Sequence, residues 1–424
     1  MDSNKKKKDI VKFINENNYK KIKENLFSSS EKLCLFSLDA LISRPSLIHP
    51  TDLIDLFKQN KSNEVNSKIL EVLIKKVENN EKNKVKSHLI AFLEHLRNNL
   101  NFYKKNSDIL KNTIYLLHKF NLLGEEMINE LLNHPDENIL IFLISLLKRD
   151  HKTFEKILPL LKKDDNLRCE VLKKIPEDIT SEHIKILMEN MENGTPRIQQ
   201  TIINSLSEFN QISDSLIPLL KHSLTIESIR PHSIKLLNKV NEINTSQIFI
   251  EEYYKLKKDK EKSKFDPNYF LSLIEAISNT HDISLFPLIS EVFNGYFSPC
   301  FQYILNYLLN IANRLNEANI QEILISLKLH KDLIITKDFL LQKLIKFTTK
   351  VKQESLITFL IEITSEIKNQ HRQIDIINLL ELLPIQKKRE IIENLNLDLY
   401  RSKIKKRLEL FKNELKFKKM SEYF

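Results

Sequence analysis

The chain has 424 residues and a net charge of +10, and its 42% hydrophobic and 29% charged residues are the proportions of an ordinary soluble folded protein. It contains three glycines and no tryptophan, so it has almost none of the residues that tight hairpins and phosphate-binding loops require. Glycine-rich nucleotide-binding motifs and the GxSxG hydrolase motif are excluded, because the three glycines are at least 70 residues apart.

The N-terminal residues 1–8 are predicted to be a basic flexible tail. Residues 1–25 carry eight lysines against four acidic residues. No apolar segment typical of a signal peptide follows this basic stretch. The longest strongly apolar run, 139–147, has nine residues, whereas a membrane-spanning helix needs about 20. We therefore expect no transmembrane segment and a cytoplasmic protein.

Residues 9–126 are predicted to form N-terminal helical repeats or a cap. Their apolar residues recur at spacings of three and four, which is the period of an amphipathic helix. One such stripe joins Leu89, Phe92 and Leu96. Gly124 is predicted to end the last helix of this region, because glycine favours the position after a helix C-terminus.

Residues 127–254 contain the clearest repeats. Pro159 and Pro218 each follow two aliphatic residues and precede two leucines, and Pro287 sits in a similar apolar setting. The first two prolines are 59 residues apart and the next two 69, about two helix pairs each time. A recurring unit of this size predicts an array in which each unit buries its apolar face against its neighbours.

Charged residues reinforce this pattern. In the first unit Pro159 is followed by Asp165 and then Arg168, and in the second Pro218 is followed by Arg230 after a longer turn. Proline, aspartate and arginine in this order resemble HEAT repeats, most clearly over 127–310. The resemblance implies an all-α fold, an α-solenoid of stacked antiparallel helix pairs. In HEAT families the aspartate and arginine are structural, so the resemblance implies no active site.

The remaining segments continue the helical pattern around one interruption. Residues 255–268 are predicted to be a charged loop, since 255–264 contain six lysines and two acidic residues. Residues 269–384 are predicted to resume the helical repeats.

Residues 385–424 are predicted to be basic C-terminal capping helices, with twelve Lys or Arg against six acidic residues. An apolar stripe from Ile404 to Leu415 would face the preceding repeat, because a terminal repeat must keep a polar outer face. The basic residues of this helix are the candidate site for an anionic partner: Lys403, Lys405, Lys406, Arg407, Lys412 and Lys416.

No catalytic, cofactor or metal site is predicted. The three cysteines, Cys34, Cys169 and Cys300, are more than a hundred residues apart and have no CxxC spacing, which argues against disulfides and favours a reducing compartment. Cys169 and Cys300 lie in apolar helical patterns and are expected to be buried free thiols. His134 and Asp136 share a turn, where a histidine beside a helix-capping aspartate is favoured over an acid–base pair.

Three classes of function remain after these exclusions. The leading prediction is a non-catalytic scaffold or adaptor that binds a protein partner along its helical-repeat surface, without a cofactor. The alternative is a nucleic-acid-binding protein that uses its basic termini. Some HEAT-like solenoids are DNA glycosylases and others resemble bilin lyases, but this chain lacks tryptophan and shows no matching set of residues.

Overall fold

The computed structural model describes residues 2–59, 61–240, 242–261, 265–295, 298–396, 400 and 402–421. Throughout these residues the fold is all-α, with no strand. It is a HEAT-like α-solenoid of stacked antiparallel helix pairs, which confirms the predicted fold class. The chain divides into two compact units, 1–178 and 179–424.

In the first unit the helices form two rows. One row contains the first helix of each pair, and the other contains the second helices, α1, α3, α5, α8, α10 and α12, each of which contacts the next. The helices of this unit are α1 (Asp2–Asn15), α2 (Tyr19–Leu26), α3 (Glu31–Ile42), α4 (Pro50–Lys58), α5 (Asn63–Lys76), α6 (Lys82–Asn98), α7 (Leu100–Tyr103), α8 (Ser107–Lys119), α9 (Glu125–Leu131), α10 (Glu137–Leu146), α11 (His151–Ile157) and α12 (Asp165–Leu172).

The second unit repeats the arrangement. Its second row is α14, α16, α18, α20, α23, α25 and α27, again with each helix contacting the next. The helices are α13 (Ser181–Asn193), α14 (Pro196–Ser207), α15 (Ile217–Ser223), α16 (Arg230–Leu236), α17 (Glu242–Glu261), α18 (Pro267–Ser278), α19 (Phe286–Asn294), α20 (Phe301–Ile311), α21 (Glu317–Leu329), α22 (Lys331–Thr336), α23 (Asp338–Val351), α24 (Glu354–Ile363), α25 (Gln370–Asn378), α26 (Ile385–Asn394) and α27 (Ser402–Ser421).

Helix α14 shows why the sequence folds in this way. Thr195 occupies its N-cap position and Pro196 its first turn, where the missing proline N–H costs no hydrogen bond. Ile198, Ile202 and Leu206, spaced four apart, are fully buried on one face. Burial of each such side chain contributes about 1.5–3 kcal/mol, so packing between neighbouring helices provides most of the stability.

The ends of the second-row helices are held by a second, polar contact. In the first unit Arg44 donates to the carbonyl of Ile14 at 3.4 Å, and Lys76 donates to that of Pro45 at 2.6 Å. Lys174 donates to the carbonyl of Leu147 at 2.7 Å. In each case the cation follows or ends one second-row helix and reaches the end of the preceding one or, for Pro45, the turn just beyond it.

The second unit has contacts of the same kind, in which a cationic side chain donates to a backbone carbonyl of the preceding repeat. Lys239 donates to Phe209 at 2.7 Å, Arg314 to His281 at 2.7 Å and Lys350 to Leu309 at 2.9 Å. Leu309 is one of the last four residues of α20, whose carbonyls have no partner within the helix, whereas Phe209 and His281 lie in the turns just after α14 and α18. A positive charge near a helix C-terminus is also favoured by the helix dipole. We call these six side chains the carbonyl-binding cations: Arg44, Lys76, Lys174, Lys239, Arg314 and Lys350.

Three local predictions are wrong. Residues 2–8 belong to α1 and are not a tail, since Ile10 and Ile14 are buried and fix one face of that helix. Residues 255–261 are the end of α17 and are not a loop, because Tyr253 and Leu256 are buried three residues apart and hold the helix. Gly124 precedes α9 as its N-cap with φ of −73° instead of ending a helix. The predicted segment boundaries stay predictions.

Replacement of a carbonyl-binding cation is expected to lower stability. Lys239→Met keeps the apolar stem of the side chain but removes the charged donor from the carbonyls of Ser207 and Phe209. A hydrogen bond with a charged group contributes about 1.5–3 kcal/mol, so the midpoint of urea unfolding should fall accordingly. Lys328→Met, at an exposed position of α21, is the matched control. Equal midpoints for the two variants would contradict a stabilising role for these contacts.

Candidate interaction surfaces

A groove of about 510 Å³ lies between α5 and α8 in the second row of the first unit, and Phe142 of α10 also lines it. The wall formed by α5 and the helical turn after it, which we call the α5 wall, runs from Ser67 to Glu78, about 16 Å at the helical rise of 1.5 Å per residue. The volume lies within the usual range of ligand sites, about 300–1,000 Å³.

The lysines on the α5 wall form ion pairs with neighbouring carboxylates. The ammonium group of Lys68 lies 3.1 Å from Asp39 and 3.0 Å from Glu71, and that of Lys75 lies 2.7 Å from Glu78. Partly exposed pairs of this kind contribute little to stability, typically below about 1 kcal/mol. They do fix the positions of the side chains, so this wall presents ordered and mutually neutralised charges.

The α8 wall adds a phenol to this network. The Tyr115 hydroxyl donates to Glu78 at 2.8 Å. Burial, together with the Glu78 carboxylate, raises the pKa of Tyr115 to about 12, so the phenol is protonated at neutral pH and remains a donor. The hydrogen bonds from Lys75 and Tyr115 lower the pKa of Glu78, which remains a carboxylate.

Two further charges on the α8 wall are available to a partner. Within the described part of the chain, the side chains of Asp108 and Lys111 make no ion pair or hydrogen bond, and both line the groove. They lie three residues apart on one helix, so their charges are neighbours on its surface. The groove thus offers one acid and one base, next to an aromatic side chain, to an incoming ligand.

The sequence analysis did not identify this groove. Its residues come from two helices about forty positions apart, and each helix alone reads as an ordinary amphipathic segment. No spacing rule links Lys68 or Glu78 with Tyr115. The contact depends on the register between neighbouring second-row helices, and the sequence of a single helix carries no signal for that register.

The structural residues of the HEAT pattern occupy different settings. Pro159 lies in a short 3₁₀ turn after α11, whereas Pro218 and Pro287 lie in the first turns of α15 and α19. These positions suit a residue without an N–H. Arg168 reaches Asp165 at 3.4 Å within the same helix, α12.

Arg230, in contrast, makes a contact with a later helix of the array. Its guanidinium lies 2.6 Å from the carboxylate of Asp266, 36 residues later, and 4.7 Å from the ring centre of Tyr269. Asp266 also caps α18, through the backbone amides of Asn268 and Tyr269 at 3.0 Å each. The Tyr269 hydroxyl donates to the buried Glu252 at 2.7 Å, so one network joins α16, α17 and α18.

The Asp266 carboxyl should make stability depend on pH. Burial by itself raises the pKa of Asp266, but hydrogen bonds from Arg230 and from the backbone outweigh it and the pKa is lowered. A lowered pKa in the folded state gives stability that is complete above the ordinary value of about 3.9 and is lost as pH falls through the folded value.

Asp266→Asn keeps the helix cap and removes the charge. It should therefore cost about 1–2 kcal/mol at pH 7, and the difference from the wild type should shrink on acidification below pH about 4. Urea unfolding at several pH values measures this. A difference that stays constant from neutral to acid pH would contradict the proposed charge interaction.

The predicted basic surface of α27 is partly used for packing. Ile404, Leu408, Phe411 and Leu415 are buried. Arg407 lies 2.9 Å from Glu381, and its guanidinium lies 4.7 Å from the ring centre of Phe411. The helix therefore docks on α25 and the turn that follows it.

The other basic side chains of α27 differ in exposure. Lys406 is exposed, whereas Lys405 and Lys412 are half-buried. Lys403 and Lys416 lie in α27, but their side chains fall outside the described part of the structure. Use of this helix as a binding site for an anionic partner stays a prediction.

Arg407→Ala should loosen α27, because it removes both the ion pair with Glu381 and the ring contact with Phe411. We expect faster limited proteolysis of the C-terminal segment than in the wild type. Lys406→Ala, which removes an exposed neighbouring charge, should leave the cleavage rate unchanged. If the two variants are cleaved at the same rate, Arg407 does not hold the helix.

Other sites weighed from the sequence have structural roles. Asp136 caps α10 by accepting from the Asn138 amide at 2.9 Å, and its own amide donates to Nδ1 of His134 at 3.1 Å. The capping interpretation of this pair is confirmed. The three cysteines are free and buried. Among the described helices, none is long and apolar enough to cross a membrane.

The chain resembles known proteins in its structure but not detectably in its sequence. No family model and no curated protein matches the sequence. A crystal structure of Kap121p matches with 13% identity and a TM-score of 0.40, covering 93% of this chain and 45% of that one. A crystal structure of Kap121p bound to Nup53p matches with 12% identity and a TM-score of 0.29, covering 88% and 38%. This chain thus spans less than half the length of the matched chains.

Proposed function

We propose that the protein is a non-catalytic scaffold of the cytoplasm that binds an extended segment of a protein partner in the groove between α5 and α8. The observation that carries this proposal is the groove itself, with ion pairs along its α5 wall and two charges on α8 that have no partner among the described residues. A groove of about 16 Å accommodates about five residues of extended chain at 3.3 Å per residue.

The charges of the groove indicate what kind of segment would bind. Lys68 and Lys75 are neutralised by acids on the protein, so the site has no strong attraction for a polyanion. Asp108 and Lys111 instead favour a segment that carries one basic and one acidic side chain close together. Charge complementarity of this kind gives specificity more than affinity, and the Tyr115 and Phe142 rings offer apolar contact area.

The proposal is tested by charge reversal in the groove. Partners captured from a cell extract by the wild-type chain are identified, purified and measured for affinity against Lys111→Glu. We expect binding to weaken at least about tenfold, which corresponds to 1.4 kcal/mol. Lys162→Glu, an exposed lysine of the same unit outside the groove, should bind as the wild type does.

Circular dichroism confirms that both variants are folded before they are compared. A purified partner that binds Lys111→Glu and wild type equally well does not use the groove. If every partner loses affinity equally for Lys111→Glu and Lys162→Glu, the effect is one of net charge and the proposed site is wrong.

A further inference from the structure

Helix α23 carries a run of basic residues that neither the groove nor the Arg230 network uses. Residues 339–353 contain four lysines and no acidic residue. Three of these lysines, Lys343, Lys346 and Lys350, lie within the helix at spacings of three and four residues. Side chains at these spacings lie on the same face of a helix. The structure therefore gathers three positive charges along about 10 Å of one helix face, at a rise of 1.5 Å per residue.

The three lysines have no carboxylate partner in the part of the chain that the structure describes. Lys343 donates to the side-chain oxygen of Asn306 at 2.5 Å, and Lys350 donates to the carbonyl of Leu309 at 2.9 Å. Both of these acceptors are neutral groups of α20. Lys346 is exposed, and among the described residues its side chain makes neither an ion pair nor a hydrogen bond. The positive charge of this face is therefore not compensated by neighbouring side chains.

The lysines are close enough to repel one another. Burial, and then the charge of Lys346, lower the pKa of Lys343, because a nearby like charge disfavours the protonated form. An anion bound between the two ammonium groups would relieve this repulsion. The adjacent helix does not supply such an anion, since α20 has no charged residue over its whole length.

An exposed aromatic side chain lies at the N-terminal end of the same face. Phe339 precedes Lys343 by four residues and therefore shares its side of the helix. Its surface is 48% exposed. From Phe339 to Lys350 the face is about 16 Å long, which matches about five residues of extended chain. It thus offers a partner one apolar contact followed by three cations in a line.

Negative charge bounds this face on the side of α25. Asp338 lies 3.2 Å from Arg372 of α25, and Arg372 also lies 3.1 Å from Asp375. Two carboxylates share one guanidinium there, which leaves an excess of negative charge. A long polyanion that crosses from α23 to α25 would be repelled, whereas a short acidic segment that lies along α23 would not.

We propose that this face of α23, which we call the lysine face and which consists of Phe339, Lys343, Lys346 and Lys350, binds a short acidic segment of a partner protein. Carboxylates at alternate positions of an extended chain are about 6.7 Å apart, close to the rises of about 4.5 and 6 Å between successive lysines. An apolar side chain at the start of the segment would cover Phe339. The inference is independent of the groove between α5 and α8, which lies in the first unit.

The test is fluorescence anisotropy with the full chain, at up to about 0.5 mM protein and about 50 mM salt. The probe is a labelled peptide of about ten residues in which a leucine is followed by glutamates at alternate positions. Lys346→Glu should weaken binding about twofold to thirtyfold, since it removes one exposed ion pair and adds a repulsion. Phe339→Ala should weaken it about threefold to tenfold, through the loss of roughly 40 Å² of apolar contact.

Lys328→Glu, at an exposed position of α21, makes the same change of net charge and is the matched control. Circular dichroism verifies that all variants are folded. Absence of binding by the folded wild type would overturn the proposal, as would equal affinities of Lys346→Glu and Lys328→Glu for the peptide.

Two further ligands separate an acidic protein segment from other ligands. The same peptide with glutamines in place of the glutamates should not bind, and equal binding of both peptides would overturn the role of charge. A single-stranded oligonucleotide should bind more weakly than the acidic peptide. Tighter binding of the oligonucleotide, reduced by Lys346→Glu and unchanged by Phe339→Ala, would make the lysine face a nucleic-acid site and would overturn the proposal.

Discussion

Six second-row helices of this protein are followed by, or end on, backbone carbonyls that a cation of the next repeat binds. A hydrogen bond is directional, so each of these contacts restrains the register between successive helices in addition to their apolar packing. The register between α5 and α8 brings Tyr115 to Glu78 in the groove, although none of these six cations joins the two helices.

A second kind of polar contact, at Arg230, also links neighbouring second-row helices, α16 and α18. One carboxylate, Asp266, caps α18 and neutralises the guanidinium of α16. The Tyr269 ring below that guanidinium is held by the buried Glu252 of α17. Because the members of such a network restrict one another, the loss of one should disturb all three helices. The same network fixes the start of α18 next to the lysine-rich end of α17.

The fold could be predicted from the sequence because its signals are local. The apolar period, the Thr195-Pro196 start of α14 and the near absence of glycine each depend on a few adjacent residues. The local predictions that the structure contradicts also depended on a few adjacent residues. The lysine-rich composition of 255–264 predicts a loop, but residues 255–261 continue α17, because lysine has a good helix propensity and the buried Tyr253 and Leu256 continue the helical stripe.

The candidate site could not be predicted, because it is built from residues of different repeats. Nothing in the sequence around Lys111 distinguishes it from other helix-surface lysines, and its lack of a partner appears only when α5 and α8 are placed together.

Asp266 lies between these two cases. The pair Asp266-Pro267 has the same N-cap pattern as Thr195-Pro196, so a capping role can be predicted from adjacent residues alone. Its contact with Arg230, 36 residues earlier, is visible only in the structure.

The most direct test of the peptide-binding account is hydrogen–deuterium exchange of the full chain, alone and saturated with a purified protein partner. The account predicts that slowed exchange concentrates in α5 and α8, over 63–76 and 107–119, where the groove walls become covered and their local opening is suppressed. Unchanged exchange in these two helices, with protection elsewhere in the chain, would contradict it.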